Sequence, residues 1–482
     1  MDRSWRGTMM ANSARDPYWQ ASVRAETIAA PHLKGVIEDK CATCHMPMAR
    51  TRAHADGSDR EVLDDGFLDP AHPLHEAAMD GVSCSLCHQI QPTDLGQSAS
   101  YSGGYVIDLE TAMGEREVFG PYVVDEDQSR IMIVGSGFVP VQALHLGQSE
   151  MCASCHTLYT PYLDASGEVV GEFPEQMVYF EWFYSDYNPD QTCQSCHMPP
   201  IEGGAFIAST SPVPRLPFAV HDMVGGNAYM ISIFREFGED LGVTASDDDF
   251  EYARERILEQ MGSRTASLRL EDVARLGQSL VADVLIESEV GHKFPSGFPS
   301  RRTWLHFVVR DGAGEVVFES GAVTSDGVII GNDNDADPRA YEPHYSLITR
   351  ADEVQIYEAI LQDTSGQVTT ELLRAAIYRK DNRLLPLGFD AQIPYVDIAV
   401  RGEATEDEDF AGGGDLIRYS VPVGDVQGPL TLTVELLYQS IGYRWAENLR
   451  AYDAAEVSRF LRYYESVPNL PLVIDSVSLE VE

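Results

Sequence analysis

The chain has 482 residues, 44% of them hydrophobic, and a formal charge of −42. That length divides into two or three domains, each able to bury a core. No apolar run reaches the ~18 residues of a membrane span, and the acidity excludes nucleic-acid binding, which needs basic faces.

Only four of the 34 basic residues are lysines, Lys34, Lys40, Lys293 and Lys380. So acidic a surface reads first as a solvated, self-repelling one, and second as a docking face for a basic partner. In chain order, Met1-Asp-Arg-Ser-Trp-Arg6 carries no basic-then-apolar export pattern. A helix is predicted over Tyr18–Ala30. Four copies of Cys-x-x-Cys-His follow: Cys41-Ala-Thr-Cys44-His45, Cys84-Ser-Leu-Cys87-His88, Cys152-Ala-Ser-Cys155-His156 and Cys193-Gln-Ser-Cys196-His197. They absorb all eight cysteines, at separations of 43, 68 and 41 residues that support no simple tandem repeat.

The segments between the motifs are rich in Pro and Gly. A helix is predicted over Asp247–Met261, opened by Ser246 and an acidic first turn. Beyond about residue 265 the cysteines cease and short alternating apolar runs begin. Ser279–Ile286, Trp304–Val309, Glu315–Phe318 and Leu430–Leu437 read as strands, with Asp311-Gly-Ala-Gly314 as a turn and Pro471–Val481 as a last strand.

Cys-x-x-Cys-His is the haem-attachment spacing. Two thiols three residues apart reach the two vinyl groups of one porphyrin, and the adjacent His falls under the iron. Zinc knuckles or disulfides are the competing reading. Neither requires a His directly after every second Cys, so four covalent haems c are expected. The occupant of each iron's other axial position decides the chemistry: a filled site carries electrons, and an open one can bind substrate.

Six further histidines precede residue 235: His32, His54, His72, His75, His145 and His221. His145 lies seven residues before Cys152, and His221 follows the last motif beside Gly225-Gly226, where backbone can approach a porphyrin closely. One of His72 and His75 is expected to ligate; His75 is preferred because Pro73 restricts the residue before it. His32 and His54 read more simply as non-ligands.

Trp5-Arg-Gly-Thr-Met-Met-Ala-Asn-Ser-Ala-Arg-Asp-Pro17, Gly81-Val-Ser-Cys-Ser-Leu-Cys-His88 and the His221 segment resemble the multihaem c-type cytochrome superfamily. Its members include tetrahaem cytochromes of the nitrifier type and subunits of extracellular cytochrome filaments. Relatives often carry Ser-x-His-Ala before the Asp-Pro, where this chain has Thr8-Met9-Met10-Ala11. The resemblance therefore places a distal ligand at Met10, and a packing methionine is the alternative. It also implies haem attachment outside the cytoplasm, hence a periplasmic or extracellular location despite the missing export signal.

Other features carry less. Asp333, Asp335 and Asp337 alternate as in calcium loops, but without an EF-hand's Gly and terminal Glu, so an exposed acidic loop is preferred. Lys380-Asp-Asn-Arg383 is expected to be a buried ion-pair turn. Gly291–Gly297 reads as a structural turn, with His292 a lesser ligand candidate. The Tyr179–Tyr184 aromatics suit haem edges or a core equally.

The fold class expected is α+β multidomain: a loop-rich, partly helical tetrahaem domain at 1–235, a helical linker at 236–265, and an Ig-like β-sandwich at 266–482. The function expected is electron transfer, with redox proteins or neighbouring copies as partners and a filament-forming homopolymer as one form. Its rivals are a multihaem oxidoreductase acting on a nitrogen or sulfur oxyanion, and an adhesive surface protein.

Overall fold

Asp16 opens the first long helix, Pro17–Ala29, by accepting hydrogen bonds from the backbone N–H groups of Tyr18 and Trp19 at 2.9 and 3.3 Å. Pro17 occupies the first helical position, where its missing N–H costs nothing. The helix Asp247–Ser263 begins with a reciprocal cap. Ser246 Oγ accepts from Asp249 N at 3.3 Å, and Asp249 Oδ2 accepts from Ser246 N at 2.9 Å. Both helices fall where the sequence places them. This computed structural model describes residues 2–208 and 213–482, so Met1, where the export-signal reading begins, lies outside it.

The chain divides into two compact units. The first comprises Met1–Leu158, Asp190–Ile257 and Ala454–Phe460; the second comprises Tyr159–Pro189, Leu258–Asp453 and Leu461–Glu482. In the first unit, helices are short and joined by long loops. The four motifs sit on or at the ends of the helices Lys34–His45, Cys84–Cys87, Ser149–His156 and Cys193–His197. A helical turn sets the two cysteines of each motif on one face.

The second unit is a sandwich of two sheets. The larger has seven strands, ordered Val368–Thr369, Ile356–Gln362, Arg302–Arg310, Leu430–Gln439 and Leu472–Val481, with Ile377–Asp381 and Val316–Ser320 paired off that path. The smaller runs Ala266–Leu276, Ser279–Ser288, Gly414–Pro422 and Leu347–Ile348. Alternation sets the register: Leu430, Leu432, Val434 and Leu436 are fully buried while Thr431 is exposed. Each such buried side chain contributes about 2 kcal/mol. Phe307 of the larger sheet stacks on Tyr419 of the smaller, ring centroids 3.9 Å apart and planes 5° from parallel. Asp311 O accepts from Gly314 N in the expected hairpin turn.

Lys380–Arg383 is a buried ion-pair turn, as the sequence suggests. Lys293 Nζ meets Asp381 Oδ2 at 2.7 Å, Arg383 reaches both Asp381 and Glu181 at 2.8 Å, and Lys380 pairs with Glu358 at 3.1 Å. Burial alone would raise the Asp381 carboxyl, but Arg383 and Lys293 outweigh it and hold the group well below the usual carboxylate range. Glu181 lies in the Tyr179–Tyr184 cluster, whose Tyr179 and Trp182 are buried within this same unit.

The calcium reading is not supported. Asp335 is buried, and both its oxygens go to the Arg302 guanidinium, at 2.7 and 2.9 Å. Asp337 turns instead to the backbone N–H of Arg339. An acidic side chain matched by arginine needs no cation.

Candidate functional site

All eight cysteines are free thiols, none in a disulfide. They converge within the first unit. Cys44 and Cys155 are within hydrogen-bond reach of each other, as are Cys152 and Cys193. Cys87 stands near Cys155 and Cys152, and burial pushes its thiol up to about 12. Cys44 and Cys152 are raised in the same direction, each first by its hydrogen bond to the neighbouring thiol. The thiol of Cys193 is drawn down to about 7, chiefly by the hydrogen bond from Cys152.

Three of the four motif histidines share a second pattern. Nδ1 of His45 faces Ser13 O at 3.2 Å, Nδ1 of His88 faces Phe119 O at 2.6 Å, and Nδ1 of His197 faces Val224 O. A carbonyl oxygen only accepts, so each Nδ1 carries the proton and each Nε2 keeps its lone pair. Metal-bound histidines show this arrangement, a carbonyl on one ring nitrogen and the metal on the other. Burial also lowers the His45 imidazole to about 4 and moves His197 in the same direction, which favours the neutral, ligating form.

Applied to the other histidines, the same test separates them. Nδ1 of His75 donates to Phe67 O at 2.9 Å and Nδ1 of His221 to Ala219 O at 3.2 Å, leaving Nε2 for a metal. Nδ1 of His72 instead accepts from Leu74 N at 3.1 Å, so the His72 proton sits on Nε2. His54 is exposed and faces Arg60 through Nδ1; His32 is exposed. His145 is buried, but its Nε2 donates to Ile90 O at 2.9 Å and its ring packs edge-on against Phe119. Only Nδ1 of His145 is left for a metal. His292, in the second unit, donates from Nδ1 to the Lys293 carbonyl at 3.1 Å.

His88 and His221 are brought together. Their ring centroids lie 6.3 Å apart with planes 20° from parallel. Two imidazoles on opposite sides of one metal, each nitrogen ~2 Å from it and ~1.2 Å from its ring centre, give a separation of about 6.4 Å. The observed centroid separation is close to that value. Met10 is half-buried, and its carbonyl accepts from Val82 N at 3.0 Å, two residues before Cys84.

Glycine completes the fit at one point. Gly103 has φ +82°, and a Cβ there would stand 2.2 Å from Thr43 Cγ2 and 3.6 Å from the Cys44 sulfur. Neither this residue nor the carbonyls of Ser13, Phe67, Phe119, Ala219 and Val224 carried any sequence signal. Each lies far along the chain from, or is chemically unmarked beside, the histidine it serves.

A separate cluster in the second unit joins His344, Asp407 and Asp415, with ligand-type atoms within 4.8 Å of one another. Its hydrogen bonds oppose a metal. Gln355 Nε2 at 2.8 Å and Asn382 Nδ2 at 3.0 Å both face His344 Nδ1. Their amide oxygens are engaged by the N–H groups of Tyr345 and Glu358, which prevents a flip. The His344 proton therefore sits on Nε2 and points at Asp407, 3.3 Å away.

No protein-family model matches the chain, and no curated protein sequence matches it. Among solved structures it is similar to a penta-haem cytochrome c552 from Thermochromatium tepidum, at 17% sequence identity and a TM-score of 0.54. The match covers 99% of this chain and 95% of that one. At this identity the likeness is one of fold: the chain shares the fold of that structure.

Proposed function

We propose that the chain is an extracytoplasmic tetrahaem c-type cytochrome that carries electrons. The observation that supports this reading is the His88–His221 pair, whose ring centroids lie 6.3 Å apart and whose Nδ1 atoms each face a backbone carbonyl. Bound haem supplies the one-electron iron couple; the chain attaches it, supplies axial ligands and sets the surrounding dielectric.

Cys41 and Cys44, Cys84 and Cys87, Cys152 and Cys155, and Cys193 and Cys196 would hold the four porphyrins, with His45, His88, His156 and His197 proximal. Eight cysteines serve four attachments, one fewer than the count in the name of the structural neighbour. His221 would close the iron of the second motif. His75 would close another through Nε2, and Met10 and His145 are the remaining ligand candidates. Redox proteins are the partners, and self-assembly into a filament is the extended form of the same reading.

A second reading draws on His145, whose Nε2 is engaged by Ile90 rather than offered outward. An iron that His145 does not close could take a small nitrogen or sulfur oxyanion. Spectroscopy of the holoprotein separates the two. The carrier reading expects four haems per chain, all low-spin and inert to cyanide. In the His221→Ala variant one haem turns high-spin, while His72→Ala leaves the spectrum unchanged. A high-spin, cyanide-binding haem in the native protein favours the second reading. A His221→Ala spectrum identical to wild type overturns the ligand assignment.

A further inference from the structure

The third motif stands apart from the others in what it touches. Cys155 meets Cys44 of the first motif, Cys152 meets Cys193 of the fourth, and Cys87 of the second lies near both. The backbone repeats this arrangement with independent contacts.

Toward the first motif, Ser102 N and Gly103 N donate to Thr157 O and Ser154 O at 2.8 and 2.7 Å, on either side of Cys155-His156. From the same short segment, Tyr105 Oη donates to Thr43 O at 2.8 Å, and Lys40 Nζ donates to Ser102 O at 3.2 Å. The 102–105 segment is thus a brace between the two motifs, and the missing side chain of Gly103 lets it lie against Thr43. Toward the second motif, His145 enters the turn before the Ser149–His156 helix and bonds Ile90 O, two residues beyond His88. Toward the fourth, Ser149 Oγ accepts from Cys193 N at 3.1 Å, and Gln194 Nε2 donates to Gln148 O at 2.8 Å.

We infer that the third motif is the junction of the array: Cys152, Cys155 and His156 hold the site that neighbours each of the other three. The inference rests on the proposed haem attachment. It also gives His145 a positioning role that needs no iron, since its Nε2 fastens the third motif's segment to the second's. Charge at one redox centre changes the potential of its neighbours in inverse proportion to distance. Altering the central site therefore reaches all three others, whereas altering a peripheral one acts most on the centre. Electron exchange within the array moves one electron between iron sites without forming or breaking a covalent bond.

The test is a spectro-potentiometric titration of the holoprotein with stopped-flow reduction. Three proteins are compared: wild type, a Cys152→Ala/Cys155→Ala double variant lacking the third attachment, and a Cys193→Ala/Cys196→Ala variant lacking the fourth. The third-motif variant is expected to shift the midpoints of all three remaining haems and to lose the shared fast equilibration phase. The fourth-motif variant is expected to keep that phase. His156→Met, which retains both thioethers, should shift the same three midpoints if the double variant does not fold. Equal effects of the third- and fourth-motif variants, or unshifted midpoints in His156→Met, overturn the inference. Haem content separates the two levels: a purified wild-type chain without attached haem refutes the proposed function, while four attached haems with no third-motif dependence refute only the junction.

Discussion

At the scale of the residue, chemistry was decided by which nitrogen of each imidazole carries a proton. His72 and His75 are three residues apart and look alike in sequence, yet one accepts a backbone N–H and the other donates to a carbonyl. Asp16 shows a similar local decision with a measurable consequence. Burial raises its carboxyl from 3.8 to about 6, against the opposing hydrogen bonds from Trp19 and Tyr18. Between those values the folded state holds a proton that the unfolded state has released. Stability therefore falls as pH rises through this window. Asp16→Asn keeps an acceptor at the helix cap and removes the titrating charge. Its thermal midpoint, followed from pH 4 to 7, should show a weaker downward slope than wild type; an unchanged slope refutes the assignment.

At the scale of the element, buried charge ties together pieces that are distant in sequence. Asp381, at the end of the strand Ile377–Asp381, receives Lys293 from the turn 291–297, and Arg383 extends the contact to Glu181 in the helix Val178–Phe183. Removing Asp381 strips Lys293 of its ion-pair partner and leaves Arg383 with Glu181 alone. Asp381→Ala should therefore cost about 3–5 kcal/mol. Denaturant unfolding, followed by tryptophan fluorescence, measures the loss. Replacing Lys293 and Asp381 together by Met and Leu should cost less than Asp381→Ala alone. A single-variant loss under about 1 kcal/mol would remove the network from any account of stability.

At the scale of the whole molecule, the charge of −42 sets the terms of encounter. Such a field attracts a basic redox partner over roughly one Debye length, ~10 Å at 0.1 M salt. Stopped-flow electron exchange with a strongly basic small cytochrome should slow as ionic strength rises from 10 to 500 mM, while exchange with an acidic partner should speed up. Rates insensitive to salt for both would show that the docking face is locally neutral. The sandwich expectation holds at this scale, with two sheets of seven and four strands closing over Phe307 and Tyr419. The segment Tyr159–Pro189 belongs with that sandwich unit although it lies between the third and fourth motifs. No composition shift at its ends announces this, because its strands and its aromatic helix resemble ordinary core.

The sequence by itself determined the four Cys-x-x-Cys-His motifs, because that pattern is a matter of adjacent residues. It also determined the strands whose alternation has period two and the helix caps, which are local in the same way. Only the tertiary structure decided which histidine faces which, which imidazole nitrogen meets a carbonyl, and that Cys155 and Cys152 of the third motif meet Cys44 and Cys193 with Cys87 near both. Those facts depend on carbonyls, glycines and carboxylates far apart in the chain, whose chemistry is generic until folding brings them together. The exposed acidic loop preferred over calcium at Asp333–Asp337 gave way at Asp335 for that reason: its side chain is buried, and Arg302, 33 residues earlier, takes its charge.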